Sequence, residues 1–367
     1  MGHTDTSTAP LFTPFTSDRL SLTNRTVMAP MTRRFSPEGV PGEDVAAYYR
    51  RRAENNVGLI VTEGTGINHP SSVSGSSIPV FYGEKALNGW ANVVKQVHEA
   101  GGKIVPQLWH VGMTRNIGDL PNKEALPVGP SGLNLSGEKV TEPMTEKEIE
   151  QMVEAYAQGA AAAKRIGFDG IELHGAHGYL IDQFFWEKTN QRTDRYGGDI
   201  VSRTRFAVEV IEACRREVGP GFPIILRFSQ WKMSDYGAKL ADSPDELERF
   251  LKPLTEAGVD IFHCSTRRFW EPEFEGSNLN LAGWTKKLTG KPAISVGSVG
   301  LDEEFTSGRG AETTSLDGLM KRLNNEEFDL VAIGRSLLKD PEWVEKIRNG
   351  KAEELLPYSR DSLKTLY

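Results

Sequence analysis

Eight short apolar runs punctuate the chain: RTVMAPMT (25–32), VGLIVTEG (57–64), KIVPQLWH (103–110), FDGIELHG (168–175), FPIILRFS (222–229), GVDIFHCS (258–265), KPAISVGS (291–298) and FDLVAIGR (328–335). Each has the length of a strand, is rich in Val, Ile, Leu and Phe, and is bounded by Gly, Pro or Asp. Near-continuous apolar runs predict parallel strands buried on both faces. Between them lie amphipathic stretches with readable ends. Thr145 and Glu148 form a capping-box pattern ahead of IEQMVEAYAQGAAAAKRI, and Ser243, Pro244 and Glu246 form another ahead of LERFLKPLTEA. Gly101, Gly167, Gly219, Gly258 and Gly290 follow helix ends, where left-handed backbone stops the turn. Eight strands alternating with helices predict an α/β protein, a single (β/α)8 TIM barrel. An open doubly wound sheet would carry a Gly-x-Gly-x-x-Gly loop after its first strand, and none follows it here.

Three segments stand outside the repeat. LFTPFTSDRLSLTN (11–24) is expected to form an N-terminal hairpin closing the bottom of the barrel. Long polar excursions follow the third strand (112–144) and the seventh (299–316), and the first has the size of a lid or binding loop. The segment 265–280 follows the sixth strand, and its Phe269 and Trp270 are expected in a pocket wall. No linker divides the chain, so residues 1–367 are expected to be one decorated domain.

Length and composition agree with this. At roughly 100–200 residues per domain, 367 residues could form two or three domains, but one barrel with insertions also fits. Forty-three Lys and Arg against fifty Asp and Glu give −7, and the basic clusters (Arg33-Arg34, Arg50 to Arg52, Arg267-Arg268) are short. A nucleic-acid partner is therefore not expected. No run approaches the ~18–20 apolar residues of a membrane span, and the first residues lack a signal core. The two cysteines, Cys214 and Cys264, are isolated, which points to a reducing compartment and to the cytoplasm. Monomer and homo-oligomer both remain open.

Active sites of such barrels lie at the C-terminal ends of the strands. Those ends carry Thr32, Gly64, Gln107 with Trp109, His174 with His177 and Tyr179, Arg227, Gly297-Ser298 and Gly334-Arg335. The last two pairs follow strands seven and eight, where barrels often hold a phosphate; glycine admits backbone N–H groups and Arg335 adds a charged fork. Thr32, Gln107 and Arg227 can read the edge of a flat heterocycle, and Arg227 can steady negative charge on it. Arg227 is also placed to pair with Glu172 on the neighbouring strand. In HGAHGYL (174–180), two imidazoles can converge on one oxygen, and Tyr179 can deliver a proton at neutral pH. His174, His177 and Glu172 also invite a metal, although strand alternation separates Glu172 from the turn carrying His177. His110 lies at the same mouth and Trp231 follows strand five, both without an assigned role.

These residues carry a resemblance. The chain resembles the old yellow enzyme family of FMN-dependent ene-reductases through APMTR (29–33), EG (63–64), PQLWH (106–110), HGAHGYLIDQFF (174–185), TNQRTDRYGG (189–198), LRFS (226–229), SVGS (295–298) and IGRSLLKDP (333–341). The resemblance implies noncovalent FMN, with NADPH or NADH as reductant. Pro30, Thr32, Gly64, Gln107 and Arg227 would contact the flavin ring, and Gly297, Ser298, Gly334 and Arg335 the phosphate. His174 and His177 would hold a substrate carbonyl, Tyr179 would protonate the α-carbon, and Trp109 would wall the pocket. The implied reaction is reduction of a C=C bond conjugated to a carbonyl or nitro group. Alternatives are flavin-dependent reduction of nitro compounds, nitrate esters or quinones, a non-catalytic binding barrel and, remotely, a metal-dependent hydrolase using His174 and His177. The chain departs from some members, which have Asn at His177 or, in one branch, Cys at Thr32.

Overall fold

The computed structural model describes residues 7–367. Its strands, in chain order, are β1 (Phe15–Thr16), β2 (Ser21–Leu22), β3 (Thr26–Met28), β4 (Leu59–Gly66), β5 (Ile104–Trp109), β6 (Ile171–His177), β7 (Ile224–Lys232), β8 (Ile261–Ser265), β9 (Ala293–Val296) and β10 (Leu330–Ile333). The last eight are all parallel and close on themselves in the order β3 to β10. All eight apolar runs are therefore barrel strands. Three extend beyond their runs: β4 continues to Gly66, β6 to His177 and β7 to Lys232, and His177 and Lys232 are paired in register. Polar residues at those ends hid the continuation.

The helices are α1 (Glu43–Glu54), α2 (Glu84–Glu99), α3 (Glu146–Ile166), α4 (Leu180–Phe185), α5 (Arg205–Val218), α6 (Pro244–Ala257), α7 (Leu281–Thr289), α8 (Asp317–Asn324), α9 (Arg335–Lys339) and α10 (Trp343–Arg348). The capping box of α3 is complete: Thr145 Oγ1 accepts from the Glu148 N–H at 3.2 Å, and the Glu148 carboxylate accepts from the Thr145 N–H at 2.7 Å. Such a cap contributes about 1 kcal/mol. At α6 only half the pattern forms. Ser243 accepts from the Glu246 N–H, but the Glu246 side chain accepts from the Asp242 N–H instead. Gly167 and Gly258 end α3 and α6 with φ of 100° and 116°.

Two cores sit on either side of the barrel wall. The larger lies between strands and helices. The smaller fills the barrel interior with Val27, Leu59, Val105, Ile225, Ile261, Ile294 and Leu330, and Phe15, Leu20 and Leu22 of the β1–β2 segment join it. β1 and β2 pair antiparallel, Phe15 opposite Leu22, so the expected hairpin plugs the bottom. Each of its buried side chains contributes about 1.5–3 kcal/mol. With that end plugged, the open end is the C-terminal one.

Candidate active site

A cavity of about 390 Å³ opens there, within the range of small-molecule sites. Pro30, Thr32, Gly64, Gln107, Trp109, His174, His177, Tyr179, Arg227, Gly297, Ser298, Gly334 and Arg335 all line it. The barrel register explains part of this gathering: Gly64 pairs with Gln107, and His174 with Arg227. Gly64 is more than a turn. A Cβ there would stand 2.5 Å from the Trp109 ring, so only glycine lets that indole lie against the wall.

Thr32 sits on a loop fixed from below. The Glu63 carboxyl accepts from the backbone N–H groups of Arg33 (2.9 Å) and Arg34 (3.3 Å). Burial pushes this carboxyl up to about 7.

Glu172 does not pair with Arg227. Its carboxylate accepts from Gln107 Nε2 at 2.9 Å and bonds His263 Nδ1 at 2.7 Å, all wholly or nearly buried. Burial holds His263 below the usual histidine range, so the ring is neutral, with Nδ1–H donating to Glu172 and Nε2 without a partner. Because Glu172 takes the NH₂ of Gln107, the amide oxygen is the end left for a ligand N–H. This also removes Glu172 from any ligand set with His174 and His177. Among the described residues no three His, Cys, Asp or Glu gather as metal ligands.

Arg227 is buried and makes no ion pair among the described residues. Nη2 donates to Ser265 Oγ at 3.3 Å, and Nε has no partner. A buried guanidinium in that condition is costly unless something anionic meets it. At the other end of the cavity Arg335 is similar. Nη2 donates to the Glu303 carbonyl, and buried Nη1 has no partner. Beside it, Gly297 (φ 141°) and Ser298 (φ 50°) bend the backbone sharply after β9. A Cβ at Gly297 would strike the Thr266 carbonyl at 2.7 Å, whereas one at Gly334 would meet Met31 Sδ only at 3.6 Å. Two orphaned arginine nitrogens, one beside a ring-edge reader and one beside a glycine-lined cradle, fit a flat heterocycle with a phosphate tail. FMN has that form.

The third group is aromatic. His174, His177 and Tyr179 meet edge to face, with centroids 5.2 Å apart for the imidazoles and 4.9 Å for His174 and Tyr179. His177 adopts left-handed backbone (φ 67°), a strained state that places its ring, and its N–H is held by Ser229 Oγ at 2.9 Å. Burial, reinforced by Arg227, drives both imidazoles well below their usual range, so both are neutral. The hydrogen-bond network assigns their protons. His174 Nδ1 accepts from the Ala176 N–H, which leaves Nε2–H as donor. Ser265 Oγ accepts from Arg227 and lies 2.7 Å from His177 Nε2. Its buried hydroxyl is satisfied by donating there, which puts the His177 proton on Nδ1. Burial raises Tyr179 above its usual range, partly offset by Arg34 and Arg227, so the phenol keeps its proton.

Several positions escaped the sequence reading, and Trp231, named there without a role, gains one. Ser265 and His263 belong to the sixth barrel strand, whose polar end carried the same signal as its neighbours. Trp231 stacks on His177 (4.4 Å, 25°) and donates to the Ser265 carbonyl at 3.0 Å. Tyr358 and Leu363, from beyond the barrel, close one wall. Other expectations fail. His110 is not at the cavity; it bonds His69 at 3.0 Å and caps the Gly112 N–H. Phe269 is buried elsewhere and Trp270 faces solvent. No residue of 112–144 lines the cavity: buried Arg115 gathers that excursion around its own carbonyls at Asp119 and Leu120 and ties it to the carbonyl of Val73.

Fold and site together define a barrel oxidoreductase built around a phosphorylated flat cofactor. A family model described as the NADH:flavin oxidoreductase / NADH oxidase family matches residues 10–354. An NADPH dehydrogenase of Bacillus velezensis is 35% identical, covering 91% of this chain and 93% of that protein. An NADH oxidase of Thermoanaerobacter brockii is 34% identical over 94% of this chain, which spans about half (52%) of that longer relative. A solved structure of morphinone reductase with tetrahydroNAD superposes with a TM-score of 0.80 at 29% identity, covering 96% of this chain and 93% of that one. The chain belongs to the NADH:flavin oxidoreductase / NADH oxidase family, the old yellow enzymes. It is an FMN-dependent NAD(P)H oxidoreductase. Among the described residues no helix is long and apolar enough to cross a membrane.

Proposed function

We propose that this cavity reduces C=C bonds conjugated to a carbonyl or nitro group, with Tyr179 as proton donor and His174 and His177 as the oxygen-binding pair. The carrying observation is that two neutral imidazoles and a neutral phenol meet on the cavity wall above the orphaned Arg227. FMN held there would supply the hydride chemistry, with NADPH or NADH as the source and the β-carbon of the alkene as the destination.

The chain's residues do the rest. Gln107 and Thr32 read the ring edge, and Pro30 and Gly64 leave room for the ring. Arg227 meets negative charge at its pyrimidine end. Gly297, Ser298, Gly334 and Arg335 hold the phosphate. His174 Nε2–H and His177 Nδ1–H donate to the substrate oxygen and stabilise the charge that grows there, a role worth about 10²- to 10³-fold in rate per donor. Tyr179 hands its phenolic proton to the α-carbon, and Trp109 walls that side. Reduction of nitro groups, nitrate esters or quinones needs no proton aimed at carbon, so Tyr179 favours the alkene. The same cavity would receive reductant and substrate in turn. Both thiols are free and buried, which fits a reducing, cytoplasmic setting.

Phenols that place an oxygen between the two imidazoles test the pair. Replacing both His174 and His177 with Ala is expected to weaken 4-hydroxybenzaldehyde binding to the holoenzyme by roughly 100-fold, read as a long-wavelength absorbance titration. Unchanged affinity would remove them from the oxygen site.

A further inference from the structure

Among the described residues the cavity wall holds three arginines and no Asp or Glu. Arg227 and Arg335 are accounted for at the two ends of the flavin, and Arg267 is not. Its guanidinium makes no hydrogen bond or ion pair among the described residues, and rests on the face of Tyr236, 4.2 Å from the ring centroid. The nearby carboxylate, Glu304, is taken up by the N–H and hydroxyl of Thr306 and lies beyond ion-pair reach of Arg267.

Its place matters as much as its charge. Tyr236 packs on Trp231 (5.5 Å), and Trp231 stacks on His177. Arg267 thus ends a row of rings that begins at the oxygen-binding imidazole and runs outward. Met233 and Phe305, both partly exposed, line the same cavity, and Phe305 touches Trp231. The layout is an oxygen-binding end, an apolar middle and a free cation at the far end.

We propose that Arg267 is an anion subsite for a carboxylate or phosphate carried by the ligand that enters this cavity. The proposal rests on the flavin reading of the cavity and adds a substrate class to it: amphipathic molecules with an oxygen at one end and an anion at the other. The anion belongs either to an acid-bearing oxidant or to the phosphates of the dihydronicotinamide dinucleotide. A guanidinium held by ring stacking alone keeps its N–H donors free for such a group.

The test uses the yellow holoenzyme and two variants, Arg267→Met, which keeps packing on Tyr236, and Arg267→Lys, which keeps the charge. On the oxidant side, p-coumarate and its methyl ester are titrated through their flavin absorbance change. On the reductant side, flavin reduction is timed with NADPH and with phosphate-free 1-benzyl-1,4-dihydronicotinamide. Arg267→Met is expected to weaken the charged member of at least one pair roughly tenfold or more. Its neutral partner should stay within about twofold, and Arg267→Lys should restore much of the loss. The affected pair names the source of the anion. Equal effects on charged and neutral members of both pairs would overturn the proposal. So would faster loss of FMN from Arg267→Met, since the arginine would then serve the flavin phosphate. Wild-type holoenzyme that binds neither phenol would instead break the oxygen-site reading, an outcome separate from either.

Discussion

Single residues in this cavity are defined by what their neighbours leave free. Gln107 is the plainest case: its NH₂ is taken by Glu172, so only its oxygen faces a ligand. Glu172→Leu should let the amide turn and weaken FMN binding roughly tenfold, about 1.4 kcal/mol. Fluorescence of released FMN measures this, and wild-type affinity would show that Glu172 does not set the amide. Every strand-end residue given a ligand role from the sequence lies at the cavity, because strand ends in a buried barrel have one face to present, whereas His110, given none, does not. What the sequence could not give was partnership. Glu172 and Arg227 occupy neighbouring strands and carry opposite charges, yet side-chain reach and the intervening Gln107 and His263 join Glu172 to those two instead. Nor does sequence reveal which nitrogen of an imidazole keeps its proton.

At the scale of elements, the β6–β7 edge is held by a fully buried ion pair. Lys232 Nζ lies 2.8 Å from Asp182 Oδ1, and Asp182 Oδ2 accepts from the Gly178 N–H at 2.8 Å, clamping the turn between His177 and Tyr179. Asp182→Ala strands a buried ammonium and should cost about 3–5 kcal/mol in chemical denaturation, whereas the double change Asp182→Leu with Lys232→Met should recover most of it. Equal losses in both would mean that the pair does not govern the turn. The strands were legible because buried parallel strands are uniformly apolar, and the hairpin because its apolar residues needed a surface to cover. The 112–144 excursion misled because length signals only that a loop has work to do. Here that work is done by Arg115, which bonds carbonyls of its own loop and that of Val73, contacts with no sequence pattern.

Across the molecule, five of the described histidines are shielded enough from water to stay neutral. Burial lowers His110, His174, His177 and His263, and lowers His69 to about 4. Unfolded, each would bind a proton near pH 6.5; folded, none does so there. The unfolded chain therefore gains protons first as pH falls, and each histidine removes about 1.4 kcal/mol of stability per pH unit below 6.5 until its folded value is reached. Glu63, Asp182 and Glu273, raised by burial, act in the opposite sense but are fewer. Thermal melting should be nearly level between pH 7 and 8 and fall steeply below about pH 6. A level profile down to pH 5 would mean that the imidazoles protonate in place.

The most direct measurement is anaerobic stopped-flow of Tyr179→Phe, with the two half-reactions timed apart. Flavin reduction by NADPH should stay within about threefold of wild type, because no proton from Tyr179 enters it. Reoxidation by 2-cyclohexenone should slow by about 10²- to 10⁴-fold. Equal slowing of both steps, or no slowing of the second, would contradict Tyr179 as the proton donor to the alkene.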